Sequence, residues 1–125
     1  MTTEFVAQKA ASAAANLHEA GLADLVDIRI GDAMATLVRD VPHPIDLILL
    51  DASKGLYLDI LRLLEPALRQ GGLVVSDRAD LDGGDGGRAS AYLDYLSNPA
   101  NGYRMAAITT EALGQRFAHD VAVRA

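Results

Sequence analysis

The run Leu47 to Leu50 constrains this chain most, because four apolar residues in a row end on Asp51. A continuous apolar run bounded by turn signals is how a strand buried on both faces reads. A short turn with Lys54 and Gly55 follows, and then a helical pattern. The arrangement recurs at Gly72-Leu73-Val74-Val75-Ser76-Asp77, again apolar and again ending on an acid. A helix between two such strands makes them parallel neighbours joined by a right-handed crossover. Their aspartates, 26 residues apart, then share the carboxyl edge of one sheet, where open α/β folds bind ligands. Asp51, Asp77 and Lys54 are therefore the candidates for chemistry.

A chain of 125 residues has room for one core, so residues 1–125 read as a single domain. Half of the residues are hydrophobic and 22% are charged, an ordinary globular balance rather than a disordered one. The net charge of −6 argues against nucleic acid as a partner, since phosphate-backbone binding needs a basic surface. There is no cysteine, which excludes disulfides and thiolate zinc sites. The start, MTTEFVAQKAA, lacks the basic and apolar regions of a signal peptide. No stretch approaches the roughly 20 apolar residues of a membrane span. The expectation is a soluble, cytoplasmic protein without a membrane partner.

Along the chain, Thr2 or Thr3 is placed to cap a helix, with Glu4 in or before its first turn. Phe5, Val6, Ala10, Ala13, Leu17 and Ala20 form its apolar stripe, and Gly21 is placed to end it, with Leu22 folding back. Val26, Ile28 and Ile30 alternate as a strand, and Gly31-Asp32 turns into a short helix with Met34, Leu37 and Val38. Pro42-His43-Pro44 forces an extended loop. After the central strand, Leu56 to Leu64 is helical and Pro66 interrupts it, with Gly71-Gly72 closing the segment before the next strand. The glycine-rich Asp82 to Gly87 reads as a loop, Ala89 to Ser97 as a helix with Tyr92 inward, and Asn98 to Gly102 as a turn. Met105 to Thr109 and Phe117 to Val123 read as an antiparallel strand pair, with Glu111 in the loop between. The fold class is thus α/β, a mostly parallel sheet with a C-terminal antiparallel pair.

These residues carry a family likeness. TTEF with QKAASAAANLHEAGLADLVDIRIGDA resembles the second helix and third strand of the class I S-adenosylmethionine-dependent methyltransferases. PIDLILLDASKGLYLDILRLLEPALRQGGLVVSD resembles the next two strand–helix units of the bacterial O-methyltransferases related to the catechol and caffeoyl-CoA enzymes, and NPANGY with the closing strands fits their C-terminus. The likeness implies a Rossmann-like methyltransferase fold, S-adenosylmethionine as cofactor and a small hydroxylated molecule as acceptor. It places Glu4 on the ribose hydroxyls, Gly31, Asp32 and Ala33 at the adenine edge, and Asp51 at the cofactor and the reacting centre. Asp51 and Asp77 correspond to ligands of a divalent metal such as Mg²⁺, and Lys54 to the general base.

Two departures from the pattern matter. The third metal ligand of the family is an asparagine after the second aspartate, and this chain has Arg78, whose guanidinium cannot ligate a cation. The family's first strand and glycine-rich turn have no counterpart, since Gly83, Gly84, Gly86 and Gly87 are wrongly spaced and lie beyond Asp77. The expectation is therefore the C-terminal part of a methyltransferase domain, truncated, rearranged or completed by another copy in a homo-oligomer. The rival function is a non-catalytic, methyltransferase-like binding or oligomerisation module. A response-regulator receiver would need an acidic pair after an earlier strand, and a serine hydrolase built on Ser53 would need a glycine before it and a placed histidine. His18, His43 and His119 are scattered, without paired metal-ligand spacing. Each of Asp51, Asp77, Glu4 and Asp32 also has a plain structural reading, as a helix cap or first-turn acid.

Overall fold

The computed structural model describes the backbone of residues 1–77, 86–112 and 115–125, and the side chains of these other than 86–90, 112, 115 and 116. Arg78, Asp80 and residues 82–85 of the glycine loop lie outside the described residues. Two compact units separate, Met1–Pro42 and His43–Ala125.

The first unit opens with β1 (Thr2–Glu4), followed by α1 (Ala7–Glu19), β2 (Ile28–Ile30) and α2 (Ala33–Thr36). Thr2 and Thr3 do not cap a helix; they pair in parallel with β2, Thr2 opposite Ile28 and Glu4 opposite Ile30. The backbone N–H of Thr2 donates to Asp27 (2.8 Å) and that of Gly31 to Glu4 (3.0 Å), so the ladder extends past both ends. Val6 takes the N-cap position of α1, and the Glu4 carboxylate accepts from its N–H at 2.7 Å. Gly21 ends the helix at φ +69°, with Gly21 N–H bonded to His18 and Leu22 N–H to Leu17. That pair of bonds is a Schellman stop, and the left-handed backbone at its centre favours glycine. Of the apolar stripe only Ala10 is buried, while Phe5 is 76% exposed. Arg29 holds the unit's far end, pairing with Asp27 and donating to the carbonyls of Thr36, Arg39 and Asp40.

The second unit contains β3 (Ile45–Leu50), a 3₁₀ turn (Lys54–Leu56), α3 (Tyr57–Leu64), β4 (Leu68–Asp77), α4 (Gly86–Ser97), β5 (Tyr103–Ala112) and β6 (Gln115–Arg124). The sheet order is β3-β4-β6-β5, parallel between β3 and β4 and antiparallel thereafter. β4 begins earlier than the glycines suggest: Gly71-Gly72 lie inside it, in a bulge where Ile45 to Leu47 stand opposite Leu68 to Leu73. α4 likewise starts at Gly86, inside the stretch read as loop, and Glu111 lies in β5 opposite Arg116 rather than in the hairpin loop.

The core lies on one face of this sheet. Ile48, Leu50, Val74 and Ala122 are buried there with Tyr57, Ile60, Leu61 and Leu64 of α3 and Tyr92 and Leu96 of α4. The ring of Tyr57 meets that of Tyr92 edge-on at 5.5 Å, which joins the two helices above the sheet. The expectation that the central strand is buried on both faces is corrected, since Leu47 is 52% and Leu49 65% exposed. β6 is inverted in the same way: Ala122 and Asp120 turn to the core, while Phe117 and Val123 turn outward. The cause is that both faces of these strands are apolar, so alternation alone does not reveal which face the helices cover. At the amino end of β4, Glu65 gathers the hydroxyls of Tyr95 (2.9 Å) and Tyr103 (2.8 Å), and Arg124 donates to the carbonyls of Glu65 and Leu68.

Candidate functional site

The rim of the second unit is built by register. Leu50 stands opposite Ser76, so Asp51 and Asp77, the next residues, leave the carboxyl ends of adjacent parallel strands. The chain after Asp51 turns through Ser53 into the 3₁₀ turn, which carries Lys54 back over the sheet edge. Lys54 is 8% exposed, and its Nζ donates to the main-chain carbonyl of Asp77 at 3.3 Å. The hydroxyl of Tyr57, one turn further on, reaches the same carbonyl at 3.5 Å. Asp77 is thus approached from the α3 side through its backbone, which fixes where its carboxylate starts.

Electrostatics tie Asp51 to this group. The Tyr57 hydroxyl is pushed up to about 12, first by burial and then by the negative charges of Asp77 and Asp51. Tyr57 therefore stays neutral and serves as a donor beside the two acids. On the other flank β6 brings His119 opposite Asp77 in register, with Nδ1 of the imidazole 3.7 Å from the carboxylate. Beneath the rim, Ser76 and Asp120 are register partners, 1% and 3% exposed. Tyr92 lies near them, its hydroxyl raised to about 12 chiefly by burial.

The structure brings Asp51, Asp77 and Lys54 to one edge of the second unit, and Glu4, Gly31, Asp32 and Ala33 to one edge of the first. Gly31 at φ +131° turns the chain out of β2, a conformation that favours glycine, and its N–H bonds to Glu4. Asp32 caps α2, its carboxylate accepting from Met34 N–H at 2.8 Å. By sequence alone His119 is one of three scattered histidines. The signal for it was a polar residue in the apolar phase of Phe117, Val121 and Val123. Tyr57, read as core, is core by burial and a rim donor by its hydroxyl.

Comparison with known proteins now bears on this geometry. No family model matches the chain. A catechol O-methyltransferase of Niastella koreensis is 35% identical over 86 residues, 66% of this chain and 39% of the relative. A catechol O-methyltransferase of Mycobacterium tuberculosis is 32% identical over 84 residues, 67% of this chain and 38% of the relative. The O-methyltransferase TomG of Streptomyces achromogenes, solved in complex with S-adenosylmethionine, superposes with a TM-score of 0.84 at 25% identity, over 98% of this chain and 60% of its own. The chain belongs to the class I S-adenosylmethionine-dependent O-methyltransferases. It spans about two fifths of the length of the curated relatives it matches. Its α/β architecture is the Rossmann-like fold of that family.

For the family's cofactor, the first unit offers the Glu4 carboxylate and the Gly31–Ala33 turn. The backbone carbonyl of Glu4 accepts from Gly31 N–H, and its carboxylate, with one oxygen on Val6 N–H, keeps a second oxygen that can accept from a diol. Toward the family's divalent metal the described residues offer Asp51 and Asp77. A Mg²⁺ ion needs near-octahedral oxygen ligation. Among the described residues no three acid, histidine or cysteine side chains converge to hold a metal ion. Among the described residues no helix is long and apolar enough to cross a membrane.

Proposed function

We propose that this chain takes part in S-adenosylmethionine-dependent methyl transfer to the hydroxyl of a small molecule. The observation that supports it best is the shared carboxyl edge of β3 and β4, where Asp51 and Asp77 flank the buried Lys54. When bound, the cofactor supplies an electrophilic methyl group on a sulfonium. In the first unit Glu4 would accept from the ribose hydroxyls and the Gly31-Asp32-Ala33 turn would border the adenine; in the second, Asp51 would border the reacting centre. Lys54 would receive the proton that the acceptor hydroxyl loses as its oxygen bonds the methyl carbon and the S–CH3 bond breaks, the sulfur leaving as the thioether of S-adenosylhomocysteine. The bond from Nζ to the Asp77 carbonyl uses one N–H and sets where the amine stands. Positioning of the two reactants supplies most of the acceleration.

Two measurements test the reading. Calorimetry with S-adenosylhomocysteine should show binding; absence of heat at millimolar ligand would favour the non-catalytic module. Lys54→Met keeps the buried stem and removes the amine. It should lower kcat on a panel of phenolic acceptors by about 10²-fold or more, with the calorimetric affinity within twofold of the parent. An unchanged kcat would remove Lys54 from the base role.

A further inference from the structure

We propose that the rim of this chain works without a divalent cation, and that His119 takes the place beside Asp77 that the family gives to the metal. The proposal rests on the methyltransferase reading above. Three observations carry it. The residue after Asp77, where the family pattern supplies a neutral oxygen ligand, is Arg78, whose five N–H groups donate and none accepts. Among the described residues no group of three acid, histidine or cysteine side chains is placed to hold a metal ion. The carboxylate of Asp77 is already faced by the imidazole of His119, which β6 places opposite it in register at 3.7 Å.

A cation ligated by Asp77 would sit about 2.0–2.1 Å from its oxygen, and that approach competes with the imidazole for the carboxylate. With Lys54 and Tyr57 on the Asp77 carbonyl and His119 by its carboxylate, protein groups hold this aspartate from both ends. His119 is then a positioning residue, acting on the acceptor through Asp77. Chelation by a metal favours acceptors with two adjacent hydroxyls. A rim without one gives a vicinal diol no advantage over a single phenolic hydroxyl.

The experiment is a Mn²⁺ titration of the metal-stripped protein followed by electron paramagnetic resonance, with S-adenosylhomocysteine calorimetry on the same sample. The expected result is a free-ion signal undiminished up to millimolar Mn²⁺, and an S-adenosylhomocysteine affinity unchanged by EDTA. His119→Ala should lower kcat about tenfold without changing the KM for S-adenosylmethionine. His119→Gln, which restores an N–H donor, should recover part of that loss, and circular dichroism reports whether either variant folds. Stoichiometric loss of the Mn²⁺ signal, abolished by Asp77→Asn, would overturn the proposal whether or not the variants at 119 fold. If His119→Ala also abolished it, His119 would be a ligand instead. A failed methyltransferase reading shows separately, as absence of heat with S-adenosylhomocysteine.

Discussion

Tyr57 and Tyr92 show how single side chains connect the rim to the core. Both hydroxyls lie against acids beneath the sheet edge, and burial raises both from 10 to about 12. Between those values the unfolded chain loses these protons and the fold keeps them. The stabilisation is therefore whole below pH 10 and drains as pH rises toward 12, by about 1.4 kcal/mol per pH unit for each tyrosine. Urea unfolding at a series of pH values should show this loss, and Tyr57→Phe with Tyr92→Phe should reduce it, the remainder belonging to Tyr95 and Tyr103, whose hydroxyls are raised as well; a slope unchanged by the two substitutions would contradict the assignment. At this scale the sequence is only half legible. Asp51, Lys54 and Asp77 can be picked out because strand ends and turns are written locally. His119 and Asp120 cannot, because their meaning comes from β6 pairing with β4, far away along the chain.

Among the elements, the β4 bulge decides where the rim falls. Four residues of β4 run past one of β3 before the ladder resumes, and that offset brings Ser76 level with Leu50. Gly72 permits it: a Cβ there would lie 2.6 Å from Leu68 Cδ1 and 2.8 Å from the Arg69 carbonyl oxygen. Gly102 offers a contrast, with a left-handed φ of +71° but open space where a Cβ would stand. Gly72→Ala should therefore cost about 1–3 kcal/mol through displaced backbone, whereas Gly102→Ala should cost about 1–2 kcal/mol from conformation alone. Only the first should also lower kcat, because only it shifts Asp77 relative to Asp51; equal activity in the two variants would show that the bulge does not set the rim. Paired glycines read as a segment boundary in the sequence, since a bulge and a loop draw on the same residues. The three-residue β1 reads as a helix cap in the sequence for a related reason. Thr2 to Glu4 is too short to show a period, and its strand character comes from Ile28 to Ile30 beside it.

At the scale of the whole molecule the two units differ sharply in how much apolar surface they bury. Ala10 and Leu37 are the buried apolar side chains of Met1–Pro42 among the described residues, and every other one belongs to His43–Ala125. A short two-stranded sheet with so thin a core should open locally at small free-energy cost, while β4 and β6 should open only when the second unit unfolds. Hydrogen exchange read by mass spectrometry should then show the amides of α1 and Ile28–Ile30 exchanging orders of magnitude faster than those of Leu73–Asp77 and His119–Val123. The proposed cofactor cradle, Glu4 with Gly31 to Ala33, lies in the faster unit. Bound S-adenosylhomocysteine should therefore slow exchange there far more than in the sheet that carries Asp51 and Asp77, because a ligand that binds only the closed form suppresses opening in proportion to its occupancy. Equal protection of both units without ligand would mean that the first is held by more than its own core. Protection confined to the second unit on adding ligand would place the cofactor away from Glu4.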